Sequence, residues 1–115
     1  IIAEETFASV LPVMRVRDES DAIACANETD YGLSAAVFSA SLPRAERVAR
    51  RLQAGAISIN DAALTAIIYC GEKQSFKQSG LGGSRMGPAS IRRFVRPQAL
   101  LVNTGRDSPW WFSAP

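Results

Sequence analysis

Two adjacent carboxylates, Glu4 and Glu5, stand just before Phe7 and an apolar run, in a chain of 115 residues that contains no histidine. Such a pair can exchange protons with a substrate, or it can accept hydrogen bonds and hold a polar ligand in place. Without histidine the chain can build neither a Ser-His-Asp triad nor a histidine-based metal site, and its carboxylates do not cluster with its two cysteines, Cys25 and Cys70. Cys25 lies in "AIACA", where a thiol behaves as a small hydrophobe. Cys70 follows "AIIY" and has no histidine to activate it, so a nucleophilic role is the minor reading. Gly80 and Gly82 fit the first two places of a dinucleotide fingerprint, but Arg85 falls at the third and "FKQS" before them is no buried strand. Turns and close packing account better for Gly80, Gly82, Gly83 and Gly87.

The composition, 47% hydrophobic and 21% charged, is that of a globular domain, and the length suits one modest core. The longest apolar stretches fall short of the ~20 residues that span a bilayer, and no secretory leader is readable. A net charge of +2 is too small to advertise a nucleic-acid surface. Arg44, Arg47, Arg50 and Arg51, and Arg92, Arg93 and Arg96, read as solvated faces, with arginine-driven RNA binding the minor alternative.

"VLPVMRV" at 10–16 has the composition of a strand, with Pro12 marking an edge or a strand start. Asp18 suits the N-cap of a helix with Ala22, Ile23, Cys25 and Ala26 on its buried stripe, ending before Gly32. "LSAAVF" at 33–38 reads as a covered strand. Ser41 then caps a second helix with Pro43 in its first turn and Leu42, Ala45, Val48, Ala49 and Leu52 at helical spacing, closed by Gly55. "AISIN" at 56–60 follows as a strand, which completes a β-α-β-α-β crossover pattern on a parallel sheet. Residues 61–86 show no period but carry Leu64, Ile67, Ile68, Tyr69 and Phe76, the mark of a loop packed over something rather than a disordered one. Pro88 opens a short third helix, "ALLVN" at 99–103 reads as a last strand, and Trp110, Trp111 and Phe112 form an aromatic tail suited to docking on a surface.

Several segments, in order, resemble the carboxy-terminal part of an NAD(P)-dependent aldehyde dehydrogenase. They are Glu5-Thr6-Phe7, Asn27 followed by Tyr31-Gly32-Leu33-Ser34-Ala35-Ala36-Val37-Phe38, Ala54-Gly55 leading to Ile59-Asn60, and Lys77-Gln78-Ser79-Gly80-Leu81-Gly82. The resemblance implies an α/β fold: a small crossover β-α-β-α-β sheet with helices, belonging to the carboxy-terminal part of the catalytic domain over 1–97, with an oligomerisation strand and aromatic tail over 98–115. It implies that Glu5 accepts hydrogen bonds from the nicotinamide ribose and that Phe7 packs beside the ring, so that the opening carboxylate is a positioning group. Ala8 and Ser9 stand where the family usually has Gly-Pro, and "CGEKQSFKQSG" replaces the usual Pro-Phe-Gly-Gly approach to Lys-x-Ser-Gly. Ala63, Leu64 and Thr65 match the substrate-tunnel wall, where small and apolar side chains would suit a bulky or aromatic aldehyde.

The same resemblance implies oxidation of an aldehyde to an acid with NAD or NADP in the intact enzyme, by a cysteine nucleophile and a glutamate base that lie upstream of the Glu-x-Phe motif. It therefore gives this chain no catalytic residue and no metal ligand, and the expectation is a stretch that is inactive and binds no cofactor alone. A cytoplasmic homo-oligomer paired through 98–104 is the implied setting. A stand-alone oligomerisation or interaction module derived from that enzyme is the alternative.

Overall fold

The structure, a computed structural model, describes residues 4–83 and 86–105. Helix α1, Glu19–Asn27, starts where Asp18 turns extended and its carboxylate accepts the Asp21 N–H at 2.8 Å. Arg17 donates to both oxygens of Asp21 at 3.2 and 3.1 Å, pinning the first turn from the other side. Of the expected stripe, Ile23 is buried and Cys25 is half-buried, its thiol 3.6 Å from the Met14 sulfur.

Strand β1, Tyr31–Gly32, precedes β2, Ala35–Val37. Helix α2, Leu42–Ala49, then crosses to β3, Ile57–Ile59, which pairs parallel with β2 in the register Ala35 to Ile57, Ala36 to Ser58 and Val37 to Ile59. The helix rests on both strands, and Ala45, fully buried, is the small residue that allows the close approach. Arg44 reaches back to Glu19 at 2.7 Å and ties α2 to α1. A one-turn helix α3, Leu64–Ile67, and a short strand β4, Phe76–Lys77, follow, and β4 pairs antiparallel with β1. The last described element is a 3-10 helix, Pro88–Phe94.

Two expectations are corrected. The crossover sheet is smaller than β-α-β-α-β: residues 10–16 form no strand, and the second pairing is the antiparallel one between β1 and β4. Nor do residues 99–103 form a strand. Both segments have strand composition, but a strand exists only against a partner backbone, and among the described residues neither segment has one. Trp110, Trp111 and Phe112 lie outside the described residues.

Among the described residues the buried hydrophobic core comprises Ile23 and Ala45, while Phe7, Leu11, Val13, Leu100 and Leu101 are exposed. The Cα radius of gyration is 21.9 Å, against about 13 Å for a self-contained domain of this length. Apolar side chains exposed together in this way are a common mark of interaction surfaces.

Candidate functional site

The chain leaves the parallel pair through Asn60, which stands in the left-handed region at φ 57°. Asparagine tolerates that conformation better than most residues, and here its partners over-determine it. Its N–H donates to the Val37 carbonyl at 2.8 Å, its Nδ2 to the Ser39 carbonyl at 2.9 Å, and its Oδ1 accepts the Ser39 N–H at 2.7 Å. Asp61 follows, and its carboxylate accepts the N–H groups of Ala63 and Leu64, the latter at 2.9 Å. That carboxylate caps α3, so Ala63, Leu64 and Thr65 form the entry and first turn of a helix. Ala63 and Leu64 are exposed and Thr65 is half-buried.

Beyond α3, the Lys73 ammonium turns inward and donates to the Thr65 carbonyl and, at 3.1 Å, to the Met86 sulfur. Leu33, Ser34, Thr65, Lys73 and Met86 line a cleft of about 390 Å³ on this side of the molecule. The cleft is lined by neither Glu5 nor Phe7, so the structure does not bring the two sets of expected site residues together.

The loop is held to the sheet by a crowded junction. Asn27 Nδ2 donates to the Arg51 carbonyl at 2.9 Å, and its Oδ1 accepts the Gln53 N–H at 2.8 Å. Lys77 Nζ donates to the carbonyls of Asn27 and Thr29 at 2.6 and 2.7 Å, and Ser79 Oγ accepts the Gly32 N–H at 2.9 Å. The two glycines at the centre permit the approach: a Cβ on Gly32 would stand 2.4 Å from the Gln53 carbonyl oxygen, and one on Gly55 only 1.7 Å from that of Gln74.

Glu5 and Phe7 sit in the irregular segment before α1. Its backbone is satisfied by tight local turns, Ala8 N–H to the Thr6 carbonyl at 3.0 Å and Val10 N–H to the Ala8 carbonyl at 2.8 Å, at the positions where glycine and proline were expected. Phe7 is 95% exposed. The described ion pairs are Arg17 with Asp21 and Arg44 with Glu19, so no described arginine pairs with the Glu5 carboxylate. The Glu5 carboxylate and the Phe7 ring are thus both open on this segment. Among the described residues no group of three or more His, Cys, Asp or Glu gathers as a metal site, and no described helix is long and apolar enough to cross a membrane.

A parallel β-α-β crossover with a capped loop leaving its second strand defines an α/β protein. Residues 1–100 match the model of the aldehyde dehydrogenase family, and the chain belongs to that family. It is 38% identical to the 4,4'-diapolycopene aldehyde oxidase of Methylomonas sp over 97% of its own length and 21% of that protein's. Among solved structures it is similar to PutA from Anabaena variabilis, with 57% identity and a TM-score of 0.84 over 97% of this chain and 24% of that one. It is also similar to the betaine aldehyde dehydrogenase of Staphylococcus aureus in complex with NAD+, with 34% identity and a TM-score of 0.82 over 97% of this chain and 22% of that one. The chain thus spans between a fifth and a quarter of the length of these relatives.

Sequence reasoning missed Lys73 and gave Asn27 no role. The signal for Lys73 was faint, a lysine inside a largely apolar irregular stretch. The signal for Asn27 was its place as the last residue of an alanine-rich helix, where an amide can reach open backbone groups of a neighbouring turn.

Proposed function

We propose that this chain is the carboxy-terminal part of the catalytic domain of an aldehyde dehydrogenase that oxidises an aldehyde to a carboxylic acid with NAD or NADP. Residues 1–97 supply one edge of the cofactor site and part of the aldehyde wall, and residues 98–115 supply an oligomer contact. The observation that carries this reading is the coverage of nearly the whole chain by structures of that family, one of them described as an NAD+ complex. It is supported by a Glu5 carboxylate and a Phe7 ring that this chain leaves uncovered.

Glu5 accepts hydrogen bonds from ribose hydroxyls, where a charged acceptor binds more strongly than a neutral one. Phe7 packs against the nicotinamide and limits its tilt. NAD(P), when bound, supplies the hydride acceptor. Ala63, Leu64 and Thr65 shape the space beside the reacting carbonyl, and their small or apolar side chains favour a bulky or aromatic aldehyde. The nucleophile and the base come from polypeptide outside these residues, and the protein works in the cytoplasm as a homo-oligomer. Full-length protein carrying this sequence is therefore expected to reduce NAD or NADP in the presence of an aldehyde, followed by absorbance, whereas the 115-residue chain alone gives no turnover. Turnover by the chain alone, or none by the longer protein across short and aromatic aldehydes, would overturn the reading.

A further inference from the structure

We infer that Lys73 is a positioning residue for aldehyde selection: its ammonium holds α3 in place and so sets the shape of the wall formed by Ala63, Leu64 and Thr65. This rests on the aldehyde-wall reading above. Lys73 is 9% exposed, although lysine is almost never buried without compensation. The compensation includes the Thr65 carbonyl, in the middle of α3, and the Met86 sulfur at 3.1 Å.

A helix of one turn cannot satisfy itself. Within and just beyond α3, Ala66 and Ile67 donate to the Ala63 carbonyl and Ile68 donates to that of Leu64. The carbonyls that follow lie in the last turn, where a helix has no donors of its own. The ammonium supplies one to Thr65 and places positive charge at the negative end of the helix. At the other end Asp61 caps the N–H groups of Ala63 and Leu64. The turn is thus clamped between an anion at its start and a cation at its end. Both Thr65 and Lys73 line the cleft beneath it, so a displaced lysine changes the space on the wall's inner side.

The test uses the full-length protein. Lys73→Met removes the charge and the donor but keeps an unbranched apolar stem, and Lys73→Arg keeps the cation. Expected for Lys73→Met is faster amide exchange over residues 64–68, together with a shift of about tenfold in the kcat/KM ratio of benzaldehyde to acetaldehyde. The KM for the cofactor stays unchanged, and Lys73→Arg restores most of the ratio. Should Lys73→Met not fold, Lys73→Gln, which keeps an N–H donor without charge, is measured in its place. Unchanged exchange would overturn the tether. Faster exchange with an unchanged ratio would overturn the assignment to aldehyde selection. Absence of aldehyde-dependent cofactor reduction in the unmodified protein would sink the parent reading and the selection role with it, and that failure appears before any variant is made.

Discussion

Gly55 passes so close beneath Gln74 that a single added carbon would stand 1.7 Å from the Gln74 carbonyl oxygen. Both sides of the contact are backbone, and they are joined by the Gln74 N–H to the Gly55 carbonyl at 3.4 Å. No side chain can swing aside to relieve an intrusion. Gly55→Ala is therefore expected to destabilise the protein by about 1–3 kcal/mol or more, read as a lowered melting temperature and loss of soluble yield. A melting temperature within error of the parent would contradict the packing described.

Asn27 serves two backbone groups on one turn, the Arg51 carbonyl and the Gln53 N–H. Asn27→Ala leaves both to water, because the two bonds are exposed, and the expected cost is about 0.5–1.5 kcal/mol. Asn27→Asp keeps the acceptor for Gln53 but turns an anion toward the Arg51 carbonyl, so it is expected to recover little. Urea unfolding of the three proteins side by side checks the order.

The carboxyl of Glu19 is held below its usual range chiefly by the hydrogen bond from Arg44, and that of Asp21 by the hydrogen bonds from Arg17. Both groups bind a proton less readily folded than unfolded. Their contribution to stability is therefore present above the ordinary carboxylate range and fades as pH falls through the lowered folded values. Arg44→Gln is expected to flatten the acid limb of a plot of urea midpoint against pH, and more so at low salt because the pair is exposed. An identical acid limb in parent and variant would count against the pair.

Glu5→Gln, in the full-length protein, is expected to raise the KM for NAD or NADP about tenfold while changing the KM for the aldehyde little. Phe7→Ala is expected to act in the same direction. A change confined to the aldehyde KM would move these residues out of the cofactor edge.

The elements that could be read from the sequence carry their own instructions. Asp18 caps α1 with its own carboxylate, Pro43 and the apolar spacing mark α2, and Ala35–Val37 and Ile57–Ile59 find each other through the helix between them. The segments at 10–16 and 99–103 misled because β-rich composition describes a surface that fits a sheet, while the partner backbone has to come from elsewhere. Within 61–83 the order comes from contacts remote along the chain or from single side chains, Lys77 on Asn27 and Thr29, Ser79 on Gly32 and Lys73 on Thr65, and none of these leaves a local period. The candidate site residues rest only on the family resemblance. Glu5 and Phe7 sit in irregular backbone, and nothing in their spacing distinguishes them from an ordinary surface.

Asn60 spends its N–H and both side-chain polar atoms on the exit of β2, and none of them on the loop that follows. The direction in which that loop departs is consequently dictated by the sheet and not by the loop's own residues. Substitutions after this pivot are therefore expected to leave the pairing of β2 with β3, and the point at which the chain quits it, unmoved.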